Sequence, residues 1–358
     1  MNATKCLSSV LLATVSLLNY AFAAPAGYAS FASHDEIVAQ AKKEGRVRAI
    51  ASMEPANIKA TTAAFTKKYS FIEVYVQETK GSDSDQRLLL EIKSGKADDW
   101  DVIPVSTDFA SEYPPYLWQV DLLKMAQQKI LDLPPPMIDP KQRNIVASFN
   151  HFQVTAYSPA LVPAGKVPST WEDLLGAEWK GRKIAADIRP SEIAALVPAW
   201  GLEKTLDFAR KIAAQQPIWV RGASRTLTSI MTGEIPLMIG PNFNSVKKIQ
   251  LKDRTGQLQY VSLQPVPVRF GNAQAILSAS RHRHAALLWM EWLLGPEAQK
   301  INDETQFNSS VYVSGSLVER ELRGKKLSVV DWEHHASMEQ WIAKVVEAYG
   351  FPKAEGQK

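Results

Sequence analysis

The chain has 358 residues, 46% of them apolar and 22% charged, with a formal net charge of +4. That length exceeds one ordinary hydrophobic core and suits two domains of ~150 residues each. The apolar and charged fractions are those of a globular protein rather than a disordered or membrane one, and so small a net charge supplies no basic stripe, which excludes nucleic acid as the expected partner.

The first 23 residues predict a signal peptide. Lys5 gives the positive end, residues 10–18 the apolar run, and Ala21-Phe22-Ala23 an A-x-A triplet of the kind that precedes cleavage. The apolar run is too short to span a bilayer, and Pro25 and Gly27 break the chain directly after it. Cys6, the single cysteine, lies inside this segment. The mature chain therefore has no disulfide, thiolate metal site or cysteine nucleophile, which suits an oxidising compartment. Cys6 is also not at the end of the apolar run, where a lipid-anchored cysteine would stand, so the expectation is a freely diffusing periplasmic protein.

Elements then follow in β-then-α order. Residues 34–43 predict a helix, 46–51 a first strand ending in the polar loop Ser52-Met53-Glu54-Pro55, and 56–68 a helix with Ile58 and Phe65 at helical spacing. Residues 72–76 alternate as a half-exposed strand running into Gly81-Ser82-Asp83-Ser84-Asp85, which suits either close approach of a ligand or the capping of a helix over 86–94. A third strand, 100–105, ends at Ser106-Thr107-Asp108. Three such units predict a parallel sheet with helices on its faces. The prolines within 132–140 predict a surface loop, and 146–157 returns to a strand pattern.

Residues 171–192 predict a short amphipathic helix with Leu174 and Leu175 inward, a turn at Lys180-Gly181-Arg182, a buried strand over 183–186 and a polar loop before a helix over 192–200. A loop at the carboxyl end of a strand, leading into a helix with free N–H groups, is where open α/β sheets bind ligands. Beyond it come a helix over 203–215, a loop Arg221-Gly222-Ala223-Ser224-Arg225 with Ser224 capping a helix over 226–232, and a strand over 235–239. That strand ends at Gly240-Pro241-Asn242-Phe243-Asn244. An apolar helix over 285–294 and an amphipathic one over 338–349 complete the chain.

The words Ser169-Thr170-Trp171-Glu172-Asp173-Leu174-Leu175 and Trp179-Lys180-Gly181 stand with others spread far apart along the chain: Lys43-Glu44-Gly45, Phe65-Thr66-Lys67-Lys68-Tyr69, Arg87-Leu88-Leu89, Gly233-Glu234-Ile235-Pro236 and Leu293-Leu294-Gly295-Pro296-Glu297-Ala298-Gln299. In this order and spacing the chain resembles the periplasmic solute-binding proteins of ABC transporters (extracellular solute-binding family 1), in the branch that includes the ferric-iron binders. The resemblance implies an α/β fold of the two-lobed periplasmic binding protein type (type II), each lobe a central sheet flanked by helices and the two joined by a strand hinge. Lobe 1 would comprise 24–149 with 270–320, and lobe 2 would comprise 150–269 with 321–358. The chain would cross near Phe149-Asn150-His151 and return near 265–272. The implied partners are a small-molecule solute, an organic anion or zwitterion, and a permease of the inner membrane; the protein is expected to be a monomer without a cofactor.

If the lobes pair as in that family, the loops at 52–57, 81–86, 106–109, 187–192, 222–226 and 241–245 converge on one cleft. Several helix amino termini, each equivalent to about half a positive charge, then face the same space as Arg189, Arg221 and Arg225. The expected ligand contacts are Glu54, Ser82, Asp83 and Thr107 from lobe 1, and Arg189, Ser191, Arg225, Asn242 and Asn244 from lobe 2. Glu54, Asp83, Asp85, Asp108 and Asp187 share these loops, so a zwitterion fits as well as an anion.

Ferric iron is the alternative the resemblance brings. Those relatives use two adjacent tyrosines where Asn242 and Phe243 stand here, and their first-lobe histidine and glutamate positions fall at Met53-Glu54 and Ser106-Thr107. Without tyrosinate oxygens a hard trivalent ion loses its best ligands, and no metal is expected. The pairs His282/His284 and His334/His335 read as solvated helix ends rather than sites. With no G-x-S-x-G elbow, P-loop or dinucleotide fingerprint, the chain is not expected to be an enzyme. A periplasmic hydrolase and a binding protein coupled to a sensor kinase are the alternatives from other classes. Trp171, Trp179, Trp289 and Trp292 are expected in the core.

Overall fold

The computed structural model describes residues 27–351 except residue 80, so the signal peptide expected over 1–23 lies outside the described residues, as do the side chains of residues 81, 82, 107 and 108. In the first half, α1 (His34–Glu44) begins where Ser33 Oγ accepts from the Glu36 N–H, and it ends at Gly45 with φ 68°. Asp35 and Glu36 at its start and Lys42 and Lys43 at its end complement the helix dipole. There follow β1 (Arg46–Ala51), α2 (Pro55–Lys68), β2 (Glu73–Glu78), α3 (Gly81–Lys93), β3 (Val102–Pro104) and α4 (Leu122–Gln127). The strand β4 (Ile145–Tyr157) then leads to β5 (Ile184–Asp187), α5 (Ser191–Ala194), α6 (Val197–Trp200), α7 (Leu202–Ala214), β6 (Ile218–Val220), α8 (Ala223–Met231), β7 (Leu237–Asn242), α9 (Phe243–Gln250) and β8 (Gln259–Val261). The return runs through β9 (Val266–Ile276), α10 (Arg283–Leu294), α11 (Pro296–Thr305), α12 (Leu317–Leu322), β10 (Leu327–Val330), α13 (Trp332–His335) and α14 (Met338–Tyr349).

The strands run in the order β2-β1-β3-β9-β4-β7-β5-β6, with β10 against β9 and β8 against β4. Two half-sheets share two long strands. Residues 145–152 of β4 pair antiparallel with β9, whereas residues 153–157 pair with β7. Along β9, residues 274–276 pair with β3 and residues 266–269 with β10. Each of these strands therefore leaves one half and enters the other, and the architecture is two lobes of sheet flanked by helices with a strand hinge between them. Separate cores form around Phe65, Trp289 and Trp292 in one half and around Trp171, Leu174 and Phe208 in the other. All four tryptophans expected inside are buried.

Local expectations fail at a few points, each for a physical reason. The helix expected from residue 86 starts at Gly81, with Asp83 in its first turn, where a carboxylate favours helix initiation. The amphipathic helix expected after Trp171 is two 3₁₀ turns, Glu172–Leu175 and Ala177–Trp179, because Gly176 is extended between them. The helix over 192–200 is split into α5 and α6, the second carrying Pro198 in its first turn, where no N–H is needed. Ser224 caps nothing: α8 begins at Ala223 behind Gly222, whose φ of 80° ends the preceding strand. The proline segment is more than a surface loop, since Met137 and Ile138 are buried. Among the described residues no helix is long and apolar enough to cross a membrane.

Candidate functional site

One strand-end loop of the first half reaches a helix of the second beside the hinge. Glu54, the residue before α2, places its Oε1 2.5 Å from Lys248 Nζ on α9, an ion pair between the halves whose side chains are 48% and 31% exposed. The Glu54 N–H donates to Gln306 Oε1 at 3.2 Å, so the loop is held from both sides.

Other expected contacts fall as follows. Asp83 is exposed in the first turn of α3, and the side chains of Ser82 and Thr107 lie outside the described residues. Arg189 is exposed, with its N–H donating to Asp187 Oδ1 at 2.9 Å; Asp187 Oδ2 accepts from the Gly222 N–H at 2.8 Å. Asp187 thus spends both oxygens joining the β5 and β6 loops. Ser191 opens α5, and exposed Arg225 lines, with Arg221 and Ser224, an open hollow of about 630 Å3 after β6. Asn242 ends β7 without making a capping hydrogen bond, and Asn244 keeps a buried Oδ1 without a partner.

Residues that the sequence reading passed over form the floor of this junction. Arg269 of β9 stands opposite His151 of β4 in the strand register. With the Gln153 amide turned to satisfy both neighbours, its oxygen accepts from Arg269 Nη2 at 3.0 Å and Nε at 3.2 Å. Glu192 of α5 is 2% exposed and its Oε1 has no partner. It lies against Gly240, where an added Cβ would fall 2.0 Å from Glu192 Cγ. Burial pushes the Glu192 carboxyl well above the usual carboxylate range, Asp187 adds to that, and Arg269 opposes it. Burial, helped by the charges of Arg269 and Lys248, pushes the His151 imidazole down to about 3. An arginine inside the apolar strand Val266–Ile276 was the signal available in the sequence.

A separate cavity of about 340 Å3 is lined by Val105, Asp139, Ile145, Ala273, Trp332 and His335. Such a volume is in the range of small-molecule pockets. Trp332 is fixed by its Nε1–H, which donates to Pro136 O at 3.1 Å. His335, expected as a solvated helix end, lines this cavity instead, and burial and Arg269 lower its pKa. His282 and His284 are also not free: they pair with Asp101 at 3.1 Å and Glu44 at 2.6 Å, pinning the start of α10.

Among the described residues no group of three or more His, Cys, Asp or Glu side chains is arranged to hold a metal ion. Phe243 is buried and stacks on Phe152 at 4.5 Å, a core position.

The sequence model for bacterial extracellular solute-binding proteins matches residues 60–311. No curated protein matches the sequence. Among solved structures, the chain is similar to Trichodesmium IdiA (FutA) in complex with iron and citrate, at 19% identity and a TM-score of 0.67 over 86% of this chain and 100% of that one. It is similar to the apo ferric ion-binding protein A of Pasteurella haemolytica at 19% identity and a TM-score of 0.64, over 86% and 100% of the two chains. The Atu4243–GABA receptor is similar at 15% identity and a TM-score of 0.64, over 87% and 100%.

Proposed function

This chain belongs to the bacterial extracellular solute-binding proteins, and from that membership we propose that it is a periplasmic receptor that closes over one small polar or anionic organic solute and delivers it to an ABC transporter permease. The observation that carries this reading is the pair of long strands, β4 and β9, shared by the two half-sheets. A ligand that touches both halves stabilises the closed arrangement by its extra contacts there, which is the thermodynamic requirement for capture by hinge closure. In this reading Glu54, Ser82, Asp83 and Thr107 approach the solute from one lobe, and Arg189, Ser191, Arg225, Asn242 and Asn244 from the other. The lobes themselves divide at 149/150 and 269/270, with residues 321–358 joining the second. Guanidinium and amide donors suit oxygen-rich organic groups better than a bare trivalent cation. No catalytic step is assigned.

Ferric transport is the second reading, favoured by the iron-bound Trichodesmium neighbour. Native mass spectrometry of protein purified without refolding, followed by thermal-shift measurements with carboxylates, sugar phosphates, amino-phosphonates and ferric citrate, separates the two. A retained organic mass supports the proposal, and a shift with ferric citrate alone supports the second reading. Absence of any retained mass, thermal shift or change in scattering profile would remove both.

A further inference from the structure

We propose that the solute is a zwitterion, whose ammonium is received by Glu192 and whose anionic group is received by Arg269 on the hinge strand; this rests on the receptor reading above. A carboxylate that is 2% exposed and has an unpartnered oxygen is costly to keep charged. The charged and titratable groups that act on it come from three elements packed around it: Asp187 on β5, Arg269 on β9 and Tyr349 on α14. Arg269 opposes the burial effect but, among the described residues, makes no ion pair with Glu192, and its guanidinium turns instead to the neutral Gln153 amide. A buried carboxyl with an unpartnered oxygen and a guanidinium bonded to a neutral amide thus face one junction. His151 Nδ1 and Tyr349 OH, buried beside them, also lack partners.

Other solute classes leave one side of this arrangement unanswered. A simple anion on Arg269 would leave the buried Glu192 oxygen without a partner, and a simple cation on Glu192 would leave the arginine without its counter-charge. A neutral solute would leave Glu192 protonated and Arg269 on an amide. A zwitterion answers both charges, and its binding has a definite proton balance. The protonated Glu192 carboxyl gives its proton to the buffer and, as carboxylate, pairs with the incoming ammonium, so one proton leaves per solute bound.

The test uses the full mature protein freed of retained solute. The probes are the α-amino acids, the ω-amino carboxylates from glycine to 6-aminohexanoate and the aminophosphonates, each beside its amine-only and acid-only counterpart. Members of the zwitterion set are expected to raise the melting temperature where their counterparts do not. Calorimetry in phosphate and in Tris should then report release of about one proton. Glu192→Gln, which keeps the shape, should weaken binding roughly tenfold to a hundredfold, the loss expected for one charged hydrogen bond, and abolish the proton release. Arg269→Gln should weaken the acid end similarly. Binding of an amine-free acid as tight as its zwitterion, unchanged binding by Glu192→Gln, or failure of the whole zwitterion set overturns the proposal. If the mass retained on purification is an amine-free anion, the zwitterion falls and the receptor reading stands; if nothing is retained and nothing closes the protein, the receptor reading itself falls.

Discussion

Lys248 Nζ of α9 lies 2.5 Å from Glu54 Oε1 at the start of α2, tying the two halves together beside the strands that connect them. Both side chains are substantially exposed, and pairs of that kind contribute about 0–1 kcal/mol. That is too little to hold the fold and enough to bias an opening equilibrium a few-fold. Lys248→Ala should leave the melting temperature almost unchanged and increase the radius of gyration of the solute-free protein. Wild type in ~1 M salt should behave alike, because screening weakens the same pair. Identical scattering curves for the variant and the parent would remove the pair from any role in closure.

Glu192 gives stability a definite pH dependence. Its folded-state pKa is raised, so the protonated fold is favoured in full below the ordinary carboxylate range, and this contribution is lost as pH rises towards the folded value. Glu192→Gln, which cannot ionise, should flatten that slope. Melts between pH 4.5 and 8 check this, and a slope equal to that of the parent would contradict it.

His151 acts in the opposite sense. Its folded value of about 3 lies below the ordinary histidine value of 6.5, so the stability it contributes is present above pH 6.5 and is lost as pH falls towards 3. His151→Gln should therefore lessen acid sensitivity below pH 6.5 while changing little at pH 7.5. Denaturant midpoints at pH 5 and 7.5 provide the measurement; an equal shift at both would mean that packing, and not charge, governs the position.

Gly271 of β9 stands opposite Phe149 of β4 in the strand register. A Cβ there would fall 2.2 Å from Phe149 Cε2 and 3.1 Å from His151 Cδ2. Gly271→Ala should destabilise the protein by roughly 1–3 kcal/mol, as overpacking generally does. The same shift would disturb the Phe149 and His151 rings beside Arg269, so solute affinity should fall with stability. A melting temperature equal to that of the parent would show that the strands have slack.

Arg225 and Asn242 test the outer part of the site. Arg225→Ala and Asn242→Ala should each weaken solute binding, with little loss of stability because Arg225 is exposed and Asn242 makes no capping hydrogen bond. Isothermal titration with the solute identified by mass spectrometry decides it, and parental affinity in both variants would exclude these loops.

What the sequence by itself determined is local or carried by resemblance. β1 occupies the expected residues 46–51 and α14 the expected 338–349, because strand alternation, helical spacing and turn residues act over a few positions. The two-lobed architecture followed from the scattered family words. The sequence also singled out Glu54, which pairs with Lys248 of the other half, and Asn244, whose buried Oδ1 has no partner. Only the tertiary structure decided which charges face one another. Lys248 meets Glu54 across 194 positions of chain, and Arg269 comes to act on Glu192 through strand pairings that no local pattern encodes. Burial raises the cost of a charge according to what surrounds it in space, and those surroundings exist only once both half-sheets have formed on their shared strands.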